Sequence, residues 1–375
     1  MILNDVHFDA GNQMAGSGLC RQPLDVEDAE AAKFARGGTA DGTALSPNRI
    51  MQLGLGFWDA RVLLSAIELG LFTELAIAPL EADTLQQRLD LRQRDVRDFL
   101  DALVVLGMLE RHADTYSNTP ETDYFLDRNK PSYIGGMLDR ADMHLHPAWG
   151  SLAETLRTGQ PQSGAEGNKE LFDVLHAYPV GLTAVARATT SVALLSAPAL
   201  ARRFPWAFYR SFIEVGAAQG ALLVEISRTH PHLTGASFDL PCMRPIFGSC
   251  VRRHKLTDRP HFQEGDFFKD PLAAADVFIL GQILKAWDLD TKRALSAKVF
   301  AALPEHGVLI VCDQMRSDER RENAAGFDYS AADCVGWMQQ TGFIKVRHEH
   351  LCGTYTMVTG IKPPDIGCKQ NCVRR

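Results

Sequence analysis

The chain has no CxxC pair and no cysteine and histidine spacing that suits zinc; its cysteines are scattered at positions 20, 242, 250, 312, 334, 352, 368 and 372. That excludes a zinc-ribbon or dithiol redox reading and leaves several of them as small core residues, at home in a reducing cytoplasm. His144 and His146 lie two apart, which on a helix turns them to different sides, and no third ligand accompanies them, so no metal is expected. No segment reaches the roughly 18 uninterrupted apolar residues of a membrane helix, and the N-terminus lacks a charged region followed by an apolar one. Neither secretion nor membrane insertion is expected. An excess of positive charge is missing too: 39 Lys and Arg stand against 46 Asp and Glu, a net −7 that gives no general attraction to nucleic acid or anionic lipid.

What is present fills two domains, which 375 residues suffice to form. Residues 1–45, rich in Gly, Ala and polar residues without periodicity, read as a mobile arm. From Met51 to about residue 130 apolar residues recur at three- and four-residue steps, predicting helices, and the polar stretch "RHADTYSNT" after "VRDFLDALVVLGMLE" predicts a hairpin. Together they suggest a winged helix-turn-helix. Its DNA-binding use is disfavoured because the acids of "RDVRDFLDAL" offset its arginines. Residues 131–200 form a second helical stretch, interrupted by "GQPQSGAEGN". Within it Met143, His144 and Trp149 are candidates for the lining of an aromatic-sized substrate pocket; Trp149 serves equally as ordinary core.

From residue 201 to 362 apolar runs alternate with helical patterns, which indicates a mainly parallel, doubly wound sheet closed by a hairpin across "CGT". Residues 363–375 read as a tail. Four phrases in this region stand in the order of a nucleotide-binding half-sheet: "FIEVGAAQG", "SFDLP", "EGDFF" and "FILGQILKAWD". Gly216 and Gly220 make a tight strand-to-helix turn that leaves backbone amides free. Asp239 lies 19 residues beyond Gly220 at the end of the next apolar segment, where a carboxylate holds ribose hydroxyls. Asp266 and Phe267 add a polar hook and an apolar wall for a base.

In combination, "FPW", "VGxxQG", "FDLP", "GDFF", "DLDTKRAL", "GFDY" and "GWM" resemble the S-adenosylmethionine-dependent O-methyltransferases of the acetylserotonin and caffeic acid type, over residues 46–362. The resemblance implies a Rossmann-like, seven-stranded α/β domain behind an all-helical, winged-helix dimerisation domain, with two copies sharing each pocket. It also implies S-adenosylmethionine as cofactor, its methionine part held by the turn from Glu214 to Gly220 and its ribose by Asp239. Leu240, Asp266, Phe267 and Trp287 are expected around the nucleoside, and Gln282 near the small-molecule substrate.

Two departures from the family stand out. The family places a histidine base, an acid and then a tryptophan where this chain has Lys285, Ala286 and Trp287. An ordinary lysine is deprotonated in only about one molecule in two thousand at neutral pH, so Lys285 serves as a base only in a dry, positively charged site. Between Cys312 and Cys334 a helix that roofs the pocket in relatives is missing, along with its carboxylate; Asp313 and Glu322 are the acids left nearby. Three functions remain open. An acceptor that is already ionised is methylated without a strong base. Alternatively Lys285 donates a hydrogen bond to a carbonyl or oxyanion in a cyclase-, dehydratase- or pericyclase-like reaction, or the chain is an inactive scaffold.

Overall fold

The protein is described from a computed structural model covering residues 46–92, 96–140, 149–158, 179–256, 259–315 and 329–365. The expected arm, the tail beyond residue 365, Met143, His144 and Glu322 lie outside these residues. A first unit ends at Trp58 and contains helix α1 (Asn48–Leu55). Ile50 and Leu53 on it are 75% and 84% exposed, which for large apolar side chains calls for a covering surface. Taken with α2 (Phe57–Glu68), the stretch Asn48–Glu68 is long and apolar enough by length and composition to cross a membrane, although Asp59 and Arg61 interrupt it.

The second unit starts with a small helical core. Helices α3 (Leu71–Leu75), α4 (Ala82–Arg88), α5 (Val96–Val105) and α6 (Pro120–Leu126) bury Phe72, Leu85, Leu100, Leu103 and Tyr116 together. Pro120 opens α6 where no helical N–H is needed, and Thr119 Oγ1 accepts from the Thr122 amide at 3.2 Å. The expected hairpin is β2 (Leu109–His112) with β3 (Thr115–Asn118), and β1 (Leu80–Glu81) joins it to give the antiparallel order β1-β3-β2. The region expected to be all-helical thus carries a three-stranded sheet. Leu109 and Tyr116 are the buried residues of the hairpin strands, so the polar turn, and not strand alternation, is what marks the hairpin in the sequence.

Helices α7 (Gly135–Arg140), α8 (Leu152–Thr158) and α9 (Pro179–Arg203) follow. Gly136 lets α7 approach α9, since a Cβ there would sit 3.0 Å from the Arg187 backbone. The large sheet contains β4 (Ser211–Val215), β5 (Thr234–Asp239), β6 (Pro260–Glu264), β7 (Val277–Gly281), β8 (Val308–Gln314), β9 (Ile344–Cys352) and β10 (Tyr355–Ile361). Its order is β6-β5-β4-β7-β8-β10-β9, parallel except for β10, which runs antiparallel to both neighbours. Strand residues alternate between two cores. Phe212, Val277, Ile279 and Ile310 join α9, α10 (Ala221–Thr229) and α11 (Arg244–Arg253) on one face. Ile213, Phe278, Leu280 and Val311 join α12 (Leu289–Ala302) and α13 (Ala331–Thr341) on the other. This double burial is what the near-continuous apolar runs require. The direction of strand succession reverses between β4 and β7, so a crevice opens at their carboxyl ends.

Candidate active site

At that crevice lies a cavity of about 310 Å³. Gly216, Asp239, Leu240, Asp266, Phe267, Gln282 and Trp287 wall it, which brings together most of the residues singled out from the sequence. Gly216 ends β4 with φ +70, and a Cβ there would lie 2.4 Å from Ile283 Cδ1. Gly220 opens α10 with φ +78, and a Cβ would meet the Phe247 ring at 2.8 Å. Both glycines are therefore fixed by a left-handed backbone and by packing, not by ligand approach alone. Between them Ala218 takes φ +52, uncommon for a residue with a side chain.

That strained residue aims its amide at Asp239. The carboxylate accepts from Ala218 N on one oxygen and from Leu240 N on the other, both at 2.8 Å. Enclosure raises its pKa to about 6 against the pull of these two amides. An acceptor held this firmly at the end of the second strand suits vicinal hydroxyls. Asp266 is held below the usual carboxylate range: burial works against this, but the Phe268 amide, the Lys269 hydrogen bond and the charges of Lys269 and Lys298 outweigh it. Phe267 and Phe268 each meet Trp287 edge to face, with Phe268 and Trp287 centroids 4.8 Å apart.

Other expected residues stand elsewhere. Glu214 does not wall the cavity; it is buried under the turn and accepts from the Leu223 amide at 3.0 Å, satisfying an orphan donor of the first turn of α10. Burial raises its pKa to about 8. Trp149 is 54% exposed, so it is neither core nor cavity wall. Lys285, on a single 3₁₀ turn (Leu284–Ala286), is half-buried and not among the residues that wall the cavity. Its Nζ donates to Gln282 Oε1, and Gln282 is the residue that faces the cavity. Asp313 is fully buried on β8 and accepts from the Tyr329 hydroxyl.

Sequence reading missed the wall supplied by α9: Leu182, Val185, Ala186 and Thr189. Their spacing marks one helix face, which by pattern alone is indistinguishable from core. Thr190 on the same helix donates to Gln219 Oε1 at 3.0 Å, tying α9 to the glycine turn.

A cavity at the switch point of a doubly wound sheet makes this a Rossmann-like α/β enzyme fold. The chain belongs to the O-methyltransferase family: residues 149–350 match its O-methyltransferase domain and residues 51–128 its dimerisation domain. It is 41% identical over 332 residues to the tetracenomycin polyketide synthesis 8-O-methyl transferase of Streptomyces glaucescens, covering 84% of this chain and 97% of that protein. It is 38% identical over 268 residues to the N,N-dimethyltransferase OxyT of Streptomyces rimosus, covering 71% and 78%. The fold is similar to that of human N-acetylserotonin methyltransferase solved in complex with SAM, with TM-score 0.77, 22% identity, and 87% and 100% of the two chains covered.

Proposed function

We propose that the protein transfers a methyl group from S-adenosylmethionine to an oxygen of a small aromatic acceptor of the polyketide type. The observation that carries this is Asp239, pinned by two amides beside an aromatic wall in one cavity. In this reading Asp239 holds the ribose, Leu240 and Phe267 enclose the adenine, and Asp266 bonds its edge. The turn from Gly216 to Gly220 lies against the methionine part, its Gly216, Ala218 and Gly220 amides already donating within the protein, while Trp287 screens the reacting end from water. When bound, the cofactor supplies a methyl group on a sulfonium. The chain's own part is orientation and the exclusion of water, both of which favour transfer without new covalent chemistry. The tetracenomycin relative supports an oxygen acceptor of polyketide origin.

The dimerisation domain and the exposed apolar residues of α1 support a homodimer, with residues 46–130 as a winged-helix-like dimerisation module. Two observations keep other readings open. OxyT, by its name, methylates an amine, and a lysine in the histidine position suits the non-methylating alternative.

Calorimetry with S-adenosylmethionine and S-adenosylhomocysteine, followed by labelled donor with polyhydroxylated aromatics and with aromatic amines, tests the proposal. Label on oxygen is the expected outcome. Label on nitrogen alone corrects the acceptor, and failure to bind either nucleoside ends the reading.

A further inference from the structure

Gln282 and Ala218 are the two non-glycine residues with positive φ among the described residues that wall the cavity. Gln282 follows β7 with φ +61, a left-handed backbone that costs about 1–2 kcal/mol for a residue with a Cβ. Such a conformation persists only where the surroundings hold it, and it is often found at functional sites. Here Cys312 O holds it, accepting from Gln282 N at 3.1 Å and from Nε2 at 3.3 Å. Lys285, three residues on, donates to Oε1. The orientation of the amide is therefore unambiguous: an ammonium only donates and a carbonyl only accepts, so oxygen must face Lys285 and nitrogen must face Cys312. The amide nitrogen carries two hydrogens, and one of them has no partner among the described residues.

We infer that Gln282 is the group that touches the acceptor, presenting this N–H to an acceptor oxygen bound as its anion, and that Lys285 is a positioning residue that orients the amide and places positive charge behind it. This rests on the methyl-transfer reading, in which the cavity holds the donor and the Gln282 side of its wall meets the acceptor. A cation bonded to the amide oxygen polarises the amide and strengthens its N–H as a donor. An oxygen that arrives ionised has no proton to give up and so needs no histidine at position 285. The acceptor class that follows is an acidic phenol or enol, such as a hydroxyl conjugated to a ring carbonyl. Among the described residues, Lys269 also walls the cavity but pairs with Asp266 at 3.0 Å, and Asp239 is tied by its two amides. Glu214, which borders a small void with Gln282 and Cys312, is kept neutral by burial near pH 7.

Alizarin, a dihydroxyanthraquinone whose colour reports its ionisation, tests this in the full chain saturated with S-adenosylhomocysteine. The bound dye should ionise about one pH unit lower than the free dye, a tenfold preference for the anion. Lys285→Met and Gln282→Met should each abolish that displacement while calorimetry still shows S-adenosylhomocysteine bound at the saturating concentration used; Lys285→Arg, which still donates to the amide oxygen, should restore at least half of it. A dye that fails to bind, that binds better neutral, or whose displacement survives both methionine variants overturns the inference. No methyl donor is present, so such a failure leaves the methyl-transfer reading standing, and absent label transfer with an intact dye response removes only that reading.

Discussion

Replacing Glu214 by glutamine should make the protein more stable and remove most of its pH dependence above pH 6. The carboxyl is buried, and its pKa rises from 4.5 to about 8, chiefly because ionising it there means leaving water. An acid whose folded pKa is raised binds its proton more tightly in the folded chain. Below pH 4.5 it is neutral in both states and costs nothing; above that, unfolding releases the proton, and stability falls until the folded pKa is reached. The slope is about 1.4 kcal/mol per pH unit. Asp239 behaves alike, but its window closes near pH 6, so between pH 6 and 8 Glu214 acts with little interference from it. Over that interval linkage gives a loss of about 2 kcal/mol for the wild type. Glutamine keeps an oxygen for the Leu223 amide and has no proton to lose, so E214Q should be nearly flat there. The assay is thermal unfolding of the ligand-free chain at one protein concentration, where about 2 kcal/mol corresponds to roughly 2–3 °C for a chain of 375 residues. Parallel wild-type and E214Q curves from pH 6 to 8 would refute the reasoning, because they would mean that the carboxyl is already ionised in the folded protein.

Two further outcomes are expected. Asp239→Asn leaves one of the Ala218 and Leu240 amides facing an NH₂ group, so affinity for S-adenosylhomocysteine should fall roughly tenfold to a hundredfold by calorimetry; an unchanged Kd contradicts the assigned role. Gly216→Ala meets both a φ of +70 and Ile283 Cδ1 at 2.4 Å, and should cost about 1–3 kcal/mol in chemical denaturation; a neutral result would show that the turn relaxes.

The sheet was legible because its strands are buried on both faces: runs such as "ADVFILG" and "HGVLIVCD" leave no helical alternative, and Gly216, Gly220 and Asp239 mark the ends that matter. Side-chain direction was not legible. Glu214 and Gly216 lie two apart, yet one turns under the loop to α10, where the Leu223 amide bonds its carboxyl, and the other walls the cavity. Position 285 stands out because it departs from a known pattern, but the sequence carries no sign that Gln282 stands between its amine and the cavity. That arrangement depends on a left-handed residue, and nothing in a glutamine announces one.

Helix α9 divides its labour along its length. Its first three turns face the cavity through Leu182, Val185, Ala186 and Thr189, whereas later turns brace the far side of the sheet: Val192 O accepts from the Tyr355 hydroxyl at 3.0 Å, and Arg203 reaches His350 O. Selection can therefore resculpt the front of this rod for a new guest molecule while its rear keeps the scaffold rigid. Diversification of taste without loss of backbone is built into a single helix.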